Sequence, residues 1–233
     1  MLRLLAKLWH SVLPTPCLWC SLPVQHFQRQ LCYSCQHALP SLPYQLCHYN
    51  LLWLPQVARG LPGTRLDSLL SISYYQQPYR HWLQRWKFAQ DYAAGDLLLQ
   101  QFSALLRQYQ LQQTNLPDVI TYVPMHPAKQ RKRGFNPAQL LAERASQLLK
   151  IPLLPLLVRP QVNTAQVGLN RRQRLNNLHS AFELTENIPI PARIALVDDV
   201  ITTGATADAL CRLLRRAGAT HISLWTVAVT LAD

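Results

Sequence analysis

The chain has 233 residues, is 49% hydrophobic and carries a formal charge of +12. High apolar content without a low-complexity tract excludes an intrinsically disordered chain, and the length suits one α/β domain with a small appendage. No apolar run reaches the roughly 18 residues of a membrane-spanning helix, so no span is expected and a cytoplasmic location is the reading.

The charge is unevenly placed. Residues 119–180 hold ten Lys or Arg against one acid, Glu143, whereas residues 181–233 hold four against six. Such a concentration suits a polyanion (a phosphorylated metabolite, a nucleic acid or both), with a solvated basic face as the bland alternative.

Three parts are expected: 1–50, 51–118 and 119–233. The first opens M-L-R-L-L-A-K-L-W-H-S-V-L, in which Leu2, Leu5, Leu8, Trp9 and Val12 recur at helical spacing. A short amphipathic helix is the reading. Lys7, His10 and the lack of a small-x-small site weigh against an export signal, and docking on a membrane surface is the third alternative. Next come Cys17-x₂-Cys20 and Cys32-x₂-Cys35, separated by eleven residues. Two such knuckles can bring four thiolates to one Zn²⁺, a structural site because no coordination position stays open. Paired disulfides and an iron–sulfur cluster are the other readings.

Residues 51–118 begin as a Pro/Gly-punctuated linker, followed by S-I-S-Y-Y-Q-Q-P-Y, read as a strand or hairpin. An amphipathic helix follows, with Asp96 as N-cap and Leu98, Phe102, Leu105, Leu106 and Tyr109 facing inward. From 119 the pattern alternates. A strand at 119–123 stops at Pro124, and a basic loop leads to Asn136-Pro137, a cap followed by proline at the first helical position. That helix runs to about 149. A proline-broken strand near 153–158, a strand at 194–197, a helix at 205–217 and a strand at 222–229 complete the chain. Strands separated by helices predict an α/β fold with a parallel sheet.

The run A-L-V-D-D-V-I-T-T-G-A-T, 195–206, carries the chemistry. In a parallel sheet, ligands sit at the carboxyl ends of the strands, where Asp198 and Asp199 fall. Thr202, Thr203, Gly204, Ala205 and Thr206 open the next helix, and its free N–H groups and dipole suit a phosphate. The two carboxylates, as acceptors, suit the hydroxyls of a ribose. A Walker-type hydrolase is excluded because no G-x-x-x-x-G-K-[ST] occurs. A capped helix with a solvated acidic corner is the structural alternative.

V-D-D-V-I-T-T-G-A-T resembles the phosphoribosyl-pyrophosphate (PRPP) motif of type I phosphoribosyltransferases, and V-P-M-H-P-A-K-Q-R-K-R-G-F-N, 123–136, is similar to the pyrophosphate loop of their ComF/GntX branch. Q-V-G-L-N-R-R-Q-R-L-N-N-L-H-S-A-F, 166–182, resembles the branch's flexible loop, and Tyr79, Lys87, Phe88 and the N-terminal cysteines extend the likeness over essentially the whole chain. Pro137 departs from it, standing where the branch usually has glutamine.

The resemblance implies a type I phosphoribosyltransferase-like domain behind a small N-terminal zinc ribbon. Asp198 and Asp199 would bind the ribose hydroxyls as the catalytic pair, and Thr202, Thr203, Gly204, Ala205 and Thr206 the 5-phosphate. Val123, Pro124, Met125, His126, Pro127, Lys129, Arg131 and Arg133 would serve the pyrophosphate, with Mg²⁺ accompanying PRPP. Gln166, Arg171, Arg172 and Arg174 would lie on a loop that closes over the ligand. It further implies DNA uptake in natural transformation, with single-stranded DNA and a DNA-uptake helicase or other competence proteins as partners. Basic loops near Trp9, Trp19, Tyr33 and Phe135 are compatible with backbone tracking and base stacking. Transfer to an unidentified acceptor is the accompanying activity. The alternative is a metabolic phosphoribosyltransferase acting on a nucleobase or amine, with no DNA role.

Overall fold

The computed structural model describes residues 10, 12–26, 29–113, 115–160 and 181–231. The N-terminal helix falls almost wholly outside them, as do Gln166, Arg171, Arg172 and Arg174. The elements are α1 (Tyr33–His37), a 3₁₀ turn (Leu51–Trp53), α2 (Pro55–Gly60), β1 (Ser68–Tyr74), α3 (Tyr79–Ala89), α4 (Tyr92–Gln112), β2 (Val119–Tyr122), α5 (Pro127–Arg133), α6 (Pro137–Leu149), β3 (Leu157–Val158), β4 (Glu183–Leu184), β5 (Arg193–Val197), β6 (Val200–Ile201), α7 (Ala205–Arg216) and β7 (His221–Val229).

The main sheet runs β1-β7-β5-β2, with β6 also paired to β7, and every pairing is parallel. This is the parallel α/β class that the alternation predicts. Both faces are covered, so the strands read as apolar runs, and the period of two decides which core each residue joins. Leu69, Val119, Ile194, Leu196, Ile222 and Leu224 pack with α7 and the 51–66 segment. Leu70, Ile120, Ala195, Val197, Trp225 and Val227 pack with α3, α4 and α6.

Three local expectations are corrected. Helix α4 starts a turn earlier than Asp96 suggests: Asp91 is its N-cap, accepting from the Ala94 N–H at 3.0 Å. Asp96 lies within the helix, past its first turn, bonded to Gln30 and Gln100. The inward residues Leu98, Phe102, Leu105, Leu106 and Tyr109 are buried as expected. Residues 153–158 do not form a strand of the main sheet. Leu153 makes one bridge to Ile120, and Leu157–Val158 pairs antiparallel with Glu183–Leu184. Pro152 and Pro155 supply no N–H, which prevents a continuous ladder there. Of the two readings of the aromatic run at 71–79, the strand holds for its first half and the hairpin does not. Its first half ends β1, which pairs with β7, and α3 begins at Tyr79.

Tyr79, Trp82, Leu83 and Trp86 form the buried stripe of α3 at helical spacing. Gly95 is what lets α4 approach: a Cβ there would lie 2.4 Å from Trp86 Nε1. The cysteine segment docks on the same helices. Trp82 Nε1 donates to the Leu18 carbonyl at 3.1 Å, and Gln30 Nε2 donates to the Ala93 carbonyl at 3.0 Å. Cys17, Val24, Leu31 and Cys32 belong to the α3/α4 core. Among the described residues no helix is long and apolar enough to cross a membrane.

Candidate functional site

Because β2, β5 and β7 are parallel and in register, their carboxyl ends lie side by side. Tyr122 is level with Val197, and Val197 with Trp225. The chain leaving β5 stays stitched to β7: the Asp198 N–H donates to the Trp225 carbonyl at 3.0 Å, and the Asp199 carbonyl accepts from Val227 at 3.1 Å and Ala228 at 3.3 Å. The backbone of the acidic doublet is therefore fixed by the sheet. Asp198 Oδ1 accepts from the Asp199 N–H at 2.8 Å. Burial, and then the charge of Asp199, push the Asp198 carboxyl up to about 8.

Asp199 has a partner that the sequence analysis did not assign to it. Lys87, in the last turn of α3, places Nζ 2.7 Å from Asp199 Oδ1, and each side chain is 16% exposed. Arg80, at the start of the same helix, lies over the Tyr75 ring instead, 5.8 Å from its centroid. The signal for Lys87 was its place one residue after Trp86, at the boundary of the buried stripe. Only the docking of α3 shows that this boundary overlooks the doublet.

Thr202, Thr203, Gly204, Ala205 and Thr206 line a cavity of about 50 Å³ together with Asp198. Gly204 is the N-cap of α7 at φ 74°, a left-handed conformation that glycine adopts without cost. A Cβ there would meet Leu61 Cδ2 at 3.0 Å. The first-turn N–H groups of α7 have no intrahelical acceptors and face the turn. The 61–65 stretch forms a wall here: Asp208 Oδ1 accepts from the Arg65 N–H at 3.0 Å and from Thr64 Oγ1 at 3.3 Å. A segment read as linker thus shapes the site.

The basic loop becomes helix α5. His126 caps it, its Nδ1 accepting from the Ala128 N–H at 3.2 Å, with Pro127 in the first turn. Every residue of R-G-F-N has a structural task. Arg133 lies 5.4 Å over the Phe88 ring, Gly134 ends α5 at φ 86°, and Phe135 stacks on Trp86 at 5.6 Å. Asn136 caps α6 and donates to the Val123 carbonyl at 3.0 Å. Val123 itself donates to Val197 at 2.9 Å, which ties the loop's start to β5 beside the doublet. Pro124 is buried, while Met125 and Pro127 are half-buried. Between α3 and α5 opens a cavity of about 360 Å³ lined by Lys87, Phe88, Gln90, Lys129, Lys132 and Arg133. Arg131 is exposed and not part of that lining. Lys87 and Lys132 are lining residues that the sequence analysis did not assign to the site.

The four N-terminal sulfurs, Cys17, Cys20, Cys32 and Cys35, lie within 4.8 Å of one another, and Cys20 and Cys32 are 3.7 Å apart. A tetrahedron of Zn–S bonds near 2.3 Å requires sulfur separations of about 3.8 Å, so the set fits Zn²⁺. Burial pushes the Cys17 thiol up, but backbone N–H groups of Cys20, Cys32 and Trp19 outweigh it and draw it down to about 6. Cys35 goes the other way, raised by burial and by the neighbouring sulfurs. Four crowded thiols cannot all ionise alone, and a divalent cation removes that conflict. Cys47 and Cys211 are buried elsewhere.

No protein-family model matches the chain. Over 219 residues it is 32% identical to "Competence protein F" of Haemophilus influenzae, covering 91% of this chain and 96% of that protein. It is 30% identical to "DNA utilization protein YhgH" of Salmonella typhimurium, covering 94% and 98%. Among solved structures, a glutamine phosphoribosylpyrophosphate amidotransferase from B. subtilis overlaps 55% of this chain and 26% of its own at 19% identity and a TM-score of 0.39. That overlap is partial. Identity at this level, sustained along nearly the full length of both proteins, has one consequence: the chain belongs to the ComF family.

Proposed function

We propose that the protein binds PRPP at the carboxyl edge of its sheet, binds single-stranded DNA through its basic surface, and serves DNA uptake in natural transformation. Phosphoribosyl transfer to an unidentified acceptor would be its chemistry. One observation carries the PRPP reading: an acidic doublet whose backbone is fixed to β7 places Asp198 in the lining of a small cavity at the N-terminus of α7. Acceptors beside an anion-binding helix start match a vicinal diol joined to a phosphate. The names of the relatives support the DNA role.

In this reading residues 1–50 are the metal-binding unit, 51–118 join it to the core and 119–233 bind the ligand. Asp198 and Asp199 hold the ribose hydroxyls, and Thr202, Thr203, Gly204, Ala205 and Thr206 hold the 5-phosphate. Val123, Pro124, Met125, His126, Pro127, Lys129, Arg131 and Arg133 serve the pyrophosphate side. Gln166, Arg171, Arg172 and Arg174 close over the ligand. Mg²⁺ would supply charge neutralisation at the leaving group. Asp198 and Asp199 are the carboxylates at this edge, and Asp199 is already paired with Lys87. With Asp199 so paired, a cation carried largely on the ligand phosphates suits the site. Lysines and arginines facing the pyrophosphate stabilise the charge that develops as the anomeric bond breaks.

Titration calorimetry with PRPP and Mg²⁺ tests the reading. Wild type should bind and the Asp198→Asn, Asp199→Asn double variant should not; a wild type without affinity would sink it. A metabolic phosphoribosyltransferase with no DNA role is the competing reading, favoured by the size of the basic cavity, about 360 Å³, which suits a small molecule. DNA binding that weakens steeply with salt, less so after reversing the charges of Arg131, Lys132 and Arg133, would reject that alternative.

A further inference from the structure

We infer that Lys87 is a ligand-binding residue that exchanges between two anions of this site: Asp199 when the sugar is absent, and the pyrophosphate group when it is present. The inference rests on the PRPP reading and adds to it a residue and a direction of movement. Lys87 belongs to two places at once. Its Nζ lies 2.7 Å from Asp199 Oδ1, and its side chain also lines the cavity shared with Lys129, Lys132 and Arg133. Among the described residues nothing in that lining is acidic, so the cations repel one another and are relieved by an incoming anion.

Asp199 cannot satisfy both partners equally. Its charge is largely removed from water, and a half-buried carboxylate without a partner is costly, which explains the pairing with Lys87. A ribose diol donating to Asp199 takes over that role. The ammonium is a mobile point charge on a four-carbon stem, and the cavity beside it is where a pyrophosphate would lie. Each half of the ligand alone disturbs the pair at a cost: a sugar phosphate displaces Lys87 without offering it an anion, and pyrophosphate draws Lys87 off without offering Asp199 a donor. The whole ligand does both.

The test is calorimetry on the full-length protein with three probes, namely ribose 5-phosphate, pyrophosphate and PRPP. Lys87→Met should weaken PRPP and pyrophosphate about tenfold or more, as loss of a charge-assisted contact does, while ribose 5-phosphate binds as tightly as in wild type or more tightly. Lys87→Arg should retain pyrophosphate binding. Lys87→Gln repeats the test with a polar side chain, should the methionine variant not fold. Equal weakening of all three probes, or no change in any, would overturn the exchange while leaving the PRPP reading standing. A wild type that binds pyrophosphate but neither sugar phosphate would overturn both.

Discussion

Asp198→Asn should make the protein more stable and less able to bind its ligand. The carboxyl is held up near 8 from an ordinary 3.8, by burial first and by the Asp199 charge second. A group whose folded value is raised favours folding in its protonated form, so its contribution is complete below about pH 4 and is lost as pH rises towards 8. Asparagine keeps the shape, stays neutral, and can still accept the Asp199 N–H that Asp198 Oδ1 accepts at 2.8 Å. At about 1.4 kcal/mol per pH unit the full displacement corresponds to several kcal/mol. Water at the open sheet edge reduces this to a working value of about 2 kcal/mol at pH 8. Urea unfolding of both proteins in parallel from pH 5 to pH 8.5, in zinc-containing buffer, measures the difference. The variant's advantage should grow across that window and level off at its upper end. A gap that stays constant with pH, or a variant less stable at pH 8, would refute the linkage.

Gly95→Ala should cost about 2 kcal/mol or more through overpacking, because the new methyl would overlap the Trp86 indole; near-wild-type unfolding would show that α3 and α4 can separate freely. Asp67→Ala should cost about 1–2 kcal/mol, since Asp67 Oδ2 accepts from both Arg215 Nη2 and the Ile222 N–H, each at 2.6 Å; thermal melts check it. Removing metal with a chelator, or replacing Cys20 by serine, should loosen the cysteine segment from α3. Fluorescence of Trp19 and Trp82, which meet edge to face at 6.4 Å, should report the separation, with zinc content measured in parallel.

The sequence by itself determined the parallel α/β class, through apolar strands separated by helices. It located α6 from Asn136-Pro137, the inward face of α4, and the clustering of four cysteines. These are local matters: a cap, a periodicity and a knuckle spacing are set by neighbours within a few residues. It also singled out the acidic doublet and the turn after it. Prolines at 152 and 155 signalled a broken strand, yet where the pieces would pair was not legible.

Only the tertiary structure decided what reaches the doublet. Lys87 lies more than a hundred residues before Asp199, and the wall at 61–65 is as remote from the turn it encloses. Neither relation has a sequence period, because each depends on how α3 and the 51–66 segment dock on opposite faces of the sheet. The same holds for R-G-F-N, which reads as a ligand loop but is anchored by Phe135 on Trp86 and Asn136 on Val123. Hydrogen bonding along the chain is local and leaves a pattern in the sequence; the meeting of distant side chains comes from packing, which has no counterpart in residue order.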